Sequence, residues 1–143
     1  MKTLKSIMFG LALLLAFGAA KATDKPAQAL TKNDVLGIYT NALVHGKIDG
    51  VDKILANDVE YNMYRGERMF TMNKQSILDS FKATENVEQT CKCTTSIVED
   101  TDDGMVVKFE MKYDKYVRTN LITISLKHSD WKITKIETRA TQA

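Results

Sequence analysis

The sequence predicts an α+β fold in which a curved antiparallel sheet packs on three helices from the N-terminal half of the chain. Two observations carry this. Three stretches between Thr31 and Phe81 repeat apolar residues at helical spacing, whereas from Thr90 onward apolar residues alternate with polar ones. A sheet with one apolar face needs cover, and those three helices are the only cover the sequence offers.

The N-terminus reads as an export signal. Lys2 and Lys5 precede an uncharged apolar run, Ile7 to Ala20, and Ala20-Lys21-Ala22 supplies the small-x-small pattern of a cleavage site. At 14 residues the run is short of the roughly 20 that span a bilayer. Residues 1–22 are therefore expected to be removed, leaving a periplasmic or secreted protein with no membrane span. No cysteine follows the motif, so a lipid anchor is not expected. Removal takes away three lysines and leaves 17 basic against 18 acidic residues. A near-neutral domain lacks the basic excess of nucleic-acid binders. Residues 23–30, with the only proline at Pro26, read as a polar tether, and residues 31–140 as a single domain.

The elements follow in order. Thr31 is a good N-cap with Asp34 placed to complete a capping box. Val35, Ile38, Tyr39, Ala42 and Leu43 form one helical stripe, which Gly46 ends. Asp49 or Gly50 opens a shorter helix carrying Val51, Ile54 and Leu55. Asn57-Asp58 reads as a turn into a strand with Val59, Tyr61 and Met63 inward, and Tyr64 to Glu67 as a hairpin into a short strand, Arg68 to Met72. Asn73 caps a third helix with Ile77, Leu78 and Phe81 inward. In the next strand Cys91, Cys93, Thr95 and Ile97 share a face. Asp102-Asp103-Gly104 is a hairpin signal. Met105, Val107, Phe109, Met111 and Tyr113 then face inward, followed by Ile122, Ile124 and Leu126 on a strand from about Val117 to Lys127. After a turn at His128-Ser129-Asp130, Trp131 and Ile133 hold odd positions but Ile136 an even one. That slip predicts a β-bulge near Thr134 and Lys135.

Four stretches, Val35 to Ala42 (VLGIYTNA), Gly46 to Tyr61 (GKIDGVDKILANDVEY), Asn73 to Phe81 (NKQSILDSF) and Trp131 to Ile136 (WKITKI), together with the element order, resemble the nuclear transport factor 2-like superfamily. Within it the chain is most similar to small exported bacterial members labelled SnoaL-like or lumazine-binding-like. The resemblance implies a cone-shaped sheet of cystatin-like type, a pocket between sheet and helices, and dimerisation through the outer sheet face. The superfamily holds isomerases, dehydratases, hydrolases and many non-catalytic binders, so it bears on the scaffold more than on the activity.

Enzymes of the superfamily set an Asp or His on the pocket wall with a Tyr or second acid beside it. Here the acids of the clearest strand, Glu110 and Asp114, alternate outward. His45 falls at a helix end and His128 in a turn. No nucleophile, phosphate-loop or metal-ligand spacing stands out, and no cofactor or metal is expected. The catalytic candidates are Tyr39, Tyr61 and Asp58. Tyr39, Tyr61, Met63, Met69, Met111 and Tyr113 fall on apolar stripes and, with Cys91 and Cys93 on their shared strand face, are candidate pocket residues, plain core being the commoner role for such tyrosines and methionines. Arg118 and Asn120 share parity with Ile122 and would face inward, where an arginine suits an anionic ligand. An inward arginine is costly unless paired, so a late strand start or a bulge that leaves Arg118 outside is the preferred reading. Cys91 and Cys93 lie about 6.5 Å apart along a strand, near the limit for a disulfide. Two buried thiols come first, then a strained or intermolecular disulfide, then redox or metal chemistry.

The resulting expectation is a non-catalytic accessory protein that binds a small apolar or aromatic molecule and forms a homodimer. The alternatives are a SnoaL-like enzyme using the same pocket, and an interaction module presenting Val98, Val106, Leu121 and Thr123 on the outer sheet face.

Overall fold

The structure, a computed structural model, describes residues 29–143. The expected signal peptide and most of the tether lie outside the described residues. Helix α1 (Lys32–His45) starts in the capping box: Thr31 Oγ1 accepts from the Asp34 amide at 3.1 Å and the Asp34 carboxylate accepts from the Thr31 amide at 2.8 Å. It stops at Gly46, which is left-handed (φ 65°). Helix α2 (Val51–Ile54) runs directly into strand β1 (Leu55–Arg65). The turn expected at Asn57-Asp58 is absent, because β1 absorbs these residues as an irregularity between Leu55 and Glu60. Strand β2 (Arg68–Met72) closes the hairpin, and α3 (Lys74–Ala83) begins where Asn73 Oδ1 accepts from the Ser76 amide at 2.9 Å.

Strands β3 (Lys92–Thr101), β4 (Gly104–Lys112), β5 (Tyr116–Lys127) and β6 (Asp130–Gln142) pair antiparallel in sequence. The sheet order is β2-β1-β6-β5-β4-β3. One pair departs from the antiparallel expectation: β1 lies parallel to β6, so the curved sheet is mixed. On β6, Lys135 pairs with Thr123 and Ile133 with Ile124, leaving Thr134 as an extra residue. This is the bulge that the parity slip predicts, and it lets Ile133 and Ile136 both be fully buried.

The core lies between the helices and the concave sheet face. It joins Val35, Tyr39 and Ala42 of α1 and Ile77 and Phe81 of α3 to Met105, Val107, Phe109, Met111, Ile122 and Ile124 of the sheet. The Tyr39 and Phe81 rings meet edge-on at 5.6 Å between centroids, joining α1 to α3. The helices leave β3 uncovered: all its residues are exposed, and α1 touches only its end, where Lys32 pairs with Asp100 and donates to the Thr101 carbonyl. Ile97, expected inward, is 59% exposed and Val98 60%. Leu126 is also exposed, lying beyond the covered part of β5.

Gly46 ties this arrangement together. Its carbonyl accepts from the Asn86 amide at 2.9 Å. A Cβ there would lie 2.5 Å from Asn86 N and 2.7 Å from Thr84 O, whereas one at Gly66 (φ 62°) meets nothing within 4 Å. Gly66→Ala should cost about 1 kcal/mol, the left-handed backbone penalty alone. Gly46→Ala adds a backbone collision and should cost more than twice as much, read as the larger fall in thermal midpoint.

Candidate functional site: a cleft bordered by Arg118

Between α1, α3 and the concave face lies a cleft of about 110 Å³, with Leu43, Met72, Ile77 and Phe81 among its apolar walls. Tyr39, Tyr61, Gln89 and Arg118 supply its polar groups. The register explains how they meet. Arg118 and Asn120 follow the parity of buried Ile122 and Ile124 on β5, and the Thr134 bulge moves β6 into step, so that Thr138 pairs with Asn120 on the same face. Tyr61 sits on neighbouring β1, opposite Ile136.

These side chains form one hydrogen-bonded row across four strands. Arg118 Nη2 donates to Tyr61 Oη at 3.3 Å, Tyr61 Oη lies 3.0 Å from Thr138 Oγ1, Thr138 Oγ1 donates to Asn120 Oδ1 at 3.0 Å, and Asn120 Nδ2 donates to the Phe109 carbonyl at 3.3 Å. The direction follows from the proton count. Thr138 spends its only proton on Asn120, so Tyr61 must donate to Thr138 and accept from Arg118. Two buried polar atoms beside this row have no partner among the described residues: Tyr39 Oη and Arg118 Nε. Burial pushes the Tyr39 phenol far above its usual range; Tyr61 adds to the shift and Arg118 opposes it.

Arg118 is thus turned inward, against the preferred sequence reading. The expected cost is real, since none of the ion pairs among the described residues includes Arg118. It is reduced by Tyr61 and by partial solvent contact. Arg118 also borders a second cavity of about 170 Å³, shared with Met63, Tyr64, Arg65, Thr138 and Ala140.

The other sequence candidates are distributed as follows. Met111 is fully buried core, and Asn120 is buried within the hydrogen-bonded row. Tyr113 is half-buried; its hydroxyl donates to Gln89 Oε1 at 2.8 Å, and burial first, then Cys91 and Tyr116, push its phenol up to about 12. Cys91 is half-buried near Tyr113 and is a free thiol, its Sγ 3.7 Å from that of Cys93. Three candidates stand apart from the cleft. Cys93 is exposed on uncovered β3, its thiol pushed up to about 11 by burial and by its hydrogen bond with Cys91. Met69 is 54% exposed because it pairs with Tyr64 and shares its outer face of the sheet, opposite in parity to Tyr61 and Met63. Asp58 sits on the irregular part of β1 with an exposed side chain, 4.0 Å from Lys127, and does not join Tyr39 and Tyr61. His45 pairs with exposed Glu88 on the surface. Met72, Gln89 and Thr138 are not singled out by sequence, and Leu43 only as part of the α1 stripe; for Thr138 a signal exists, since it shares the parity of Ile136 beyond the bulge.

No protein-family model matches the chain, and no curated protein matches it in sequence. Solved structures match it in shape. A nuclear transport factor 2-like protein of unknown function from Silicibacter pomeroyi superposes with a TM-score of 0.63 at 13% identity, covering 76% of this chain and 92% of that one. The chain has the nuclear transport factor 2-like fold. A ketosteroid isomerase-like protein from Erwinia carotovora atroseptica (TM-score 0.59, 12% identity, 78% and 94% covered) and a nuclear transport factor 2-like protein from Cytophaga hutchinsonii (0.59, 15%, 78% and 100%) agree. At these identities the likeness concerns the fold alone.

The row and the orphaned phenol respond oppositely to loss of a hydroxyl. Tyr61→Phe removes the acceptor for Arg118 and the donor to Thr138 and should destabilise by about 1–3 kcal/mol. Tyr39→Phe removes a buried hydroxyl that bonds to nothing and should be neutral or slightly stabilising. Urea denaturation of both variants reads the difference.

Proposed function

We propose that this is an exported, non-catalytic protein that holds a small apolar or aromatic molecule in the Arg118 cleft. The supporting observation is the character of the lining: apolar walls with a few convergent polar groups, which is the pattern of a ligand site. Among the described residues no carboxylate or imidazole lines the cleft, so a general acid or base of ordinary reach is not at hand there. Asp58, the acid considered for a SnoaL-like reaction, lies outside the cleft with an exposed side chain 4.0 Å from Lys127. At about 110 Å³ the cleft is well below the roughly 300–1,000 Å³ of drug-sized sites, so the ligand is small. Ser80→Trp places a large ring at the mouth from an exposed position on α3. A fragment screen by nuclear magnetic resonance should give saturable shifts at cleft residues that this variant abolishes. Shifts that persist in the variant, or none in the parent, reject the reading.

A second reading has its own observation. Strand β3 exposes Ile97 and Val98, and no described element covers them, which supports self-association through this part of the sheet. Sedimentation should give a dimer that Val98→Lys returns to monomer; a monomeric parent chain excludes it.

A further inference from the structure

Taking the small-molecule reading of the cleft as its basis, we infer that the ligand is a small monocarboxylate, its carboxylate held by Arg118 and the Tyr39 hydroxyl and its apolar body against Leu43, Met72, Ile77 and Phe81. The protons around the cleft outnumber the acceptors left for them. The row from Arg118 to the Phe109 carbonyl runs in one direction, so every acceptor in it is engaged and the Tyr61 proton is spent on Thr138. What remains around the cleft is a surplus of donors. Tyr39 keeps its hydroxyl proton, and Arg118 keeps Nε–H with no partner. Gln89 is turned the same way: its Oε1 is taken by Tyr113, leaving its amide protons. A group that only accepts hydrogen bonds satisfies such a wall, and an ionised carboxylate is the common acceptor-only group. An alcohol, amide or amine brings protons that find few free acceptors.

Charge points the same way. Arg118 faces the concave side with no carboxylate partner among the described residues, and a guanidinium fork matches a carboxylate in shape as well as sign. One cation balances one negative charge. Among the described residues no second arginine or lysine lines the cleft, which favours a monocarboxylate over a phosphate ester. The volume sets the size: an apolar cavity of about 150 Å³ holds benzene, so about 110 Å³ suits a body of a few carbon atoms.

Butyrate and its uncharged counterpart butan-1-ol test this by calorimetric and chemical-shift titration of the reduced protein. Butyrate should bind saturably and more tightly than butanol. Arg118→Gln should weaken butyrate about ten- to hundredfold, the worth of a charge-assisted hydrogen bond, and leave butanol unchanged. Tyr39→Phe, which removes only the unspent proton and is not expected to disturb folding, should weaken butyrate several-fold. If butanol binds as tightly as butyrate, or if neither substitution alters butyrate affinity, the carboxylate inference falls while the small-molecule reading stands. If neither compound binds at millimolar concentration and the fragment screen gives nothing, both fall. If neither binds but uncharged fragments do, the carboxylate inference alone is lost.

Discussion

The arrangement depends on one inserted residue. Strand β6 lies between β1 and β5 and pairs with both, so its register governs three strands at once. Before Thr134 its inward positions are odd-numbered, and after it they are even. Without the extra residue the same strand would drive Lys135, Glu137 and Arg139 into the core, since a one-residue slip reverses every side chain. With it, Ile133, Ile136 and Thr138 all face the helices. A bulge also bends the strand that carries it, so the device that corrects parity contributes to the curvature that makes a concave face.

The polar row follows from that correction. Thr138 reaches Asn120 and Tyr61 only because β6 has changed step, and Tyr61 can accept from Arg118 only because its own proton is committed to Thr138. Hydrogen bonds pointing the same way reinforce one another in a low-dielectric setting. An arginine on a face otherwise lined by isoleucine, valine and methionine is tolerated through this row. It is incompletely tolerated, and the unsatisfied remainder lies where a cleft opens. Structural demand and binding capacity therefore meet at the same guanidinium.

Much of the fold was legible in the sequence because it was written in strong local signals. The capping box at Thr31 and Asp34, the stop at Gly46, the Asp102-Asp103-Gly104 turn and the odd-to-even slip on β6 each have a short-range physical cause. The misread features depend on distant partners. Asn57-Asp58 looked like a turn by composition, but β1 carries these residues as an irregularity beside β6, about 75 positions later in the chain. The alternation in β3 was genuine, yet whether a strand face is covered depends on how far the helices extend, which periodicity does not encode. The same limit separates the site residues. Tyr39, picked out by helical spacing, and Tyr61 and Arg118, picked out by parity, converge, whereas Cys93 lies on an uncovered strand and Met69, opposite Tyr64, is on the outer face. For Arg118 the desolvation argument was sound but incomplete, because it did not include the acceptor that Tyr61 provides once Thr138 has taken its proton.

The parallel contact between β1 and β6 has a consequence for the order of assembly. The four C-terminal strands are joined by short turns and can zip up locally, whereas pairing Glu60 with Lys135 closes a long loop, an entropic cost met before its contacts give anything back. The meander therefore forms ahead of closure, with its concave side bare until β1 arrives with the helices that flank it. Tyr61 comes in on that last strand and Tyr39 on α1, so the cleft is among the final parts of the molecule to exist. Occupancy of the cleft is accordingly a property of the completed chain, and a bound molecule touching α1, β1 and β5 together would oppose their separation.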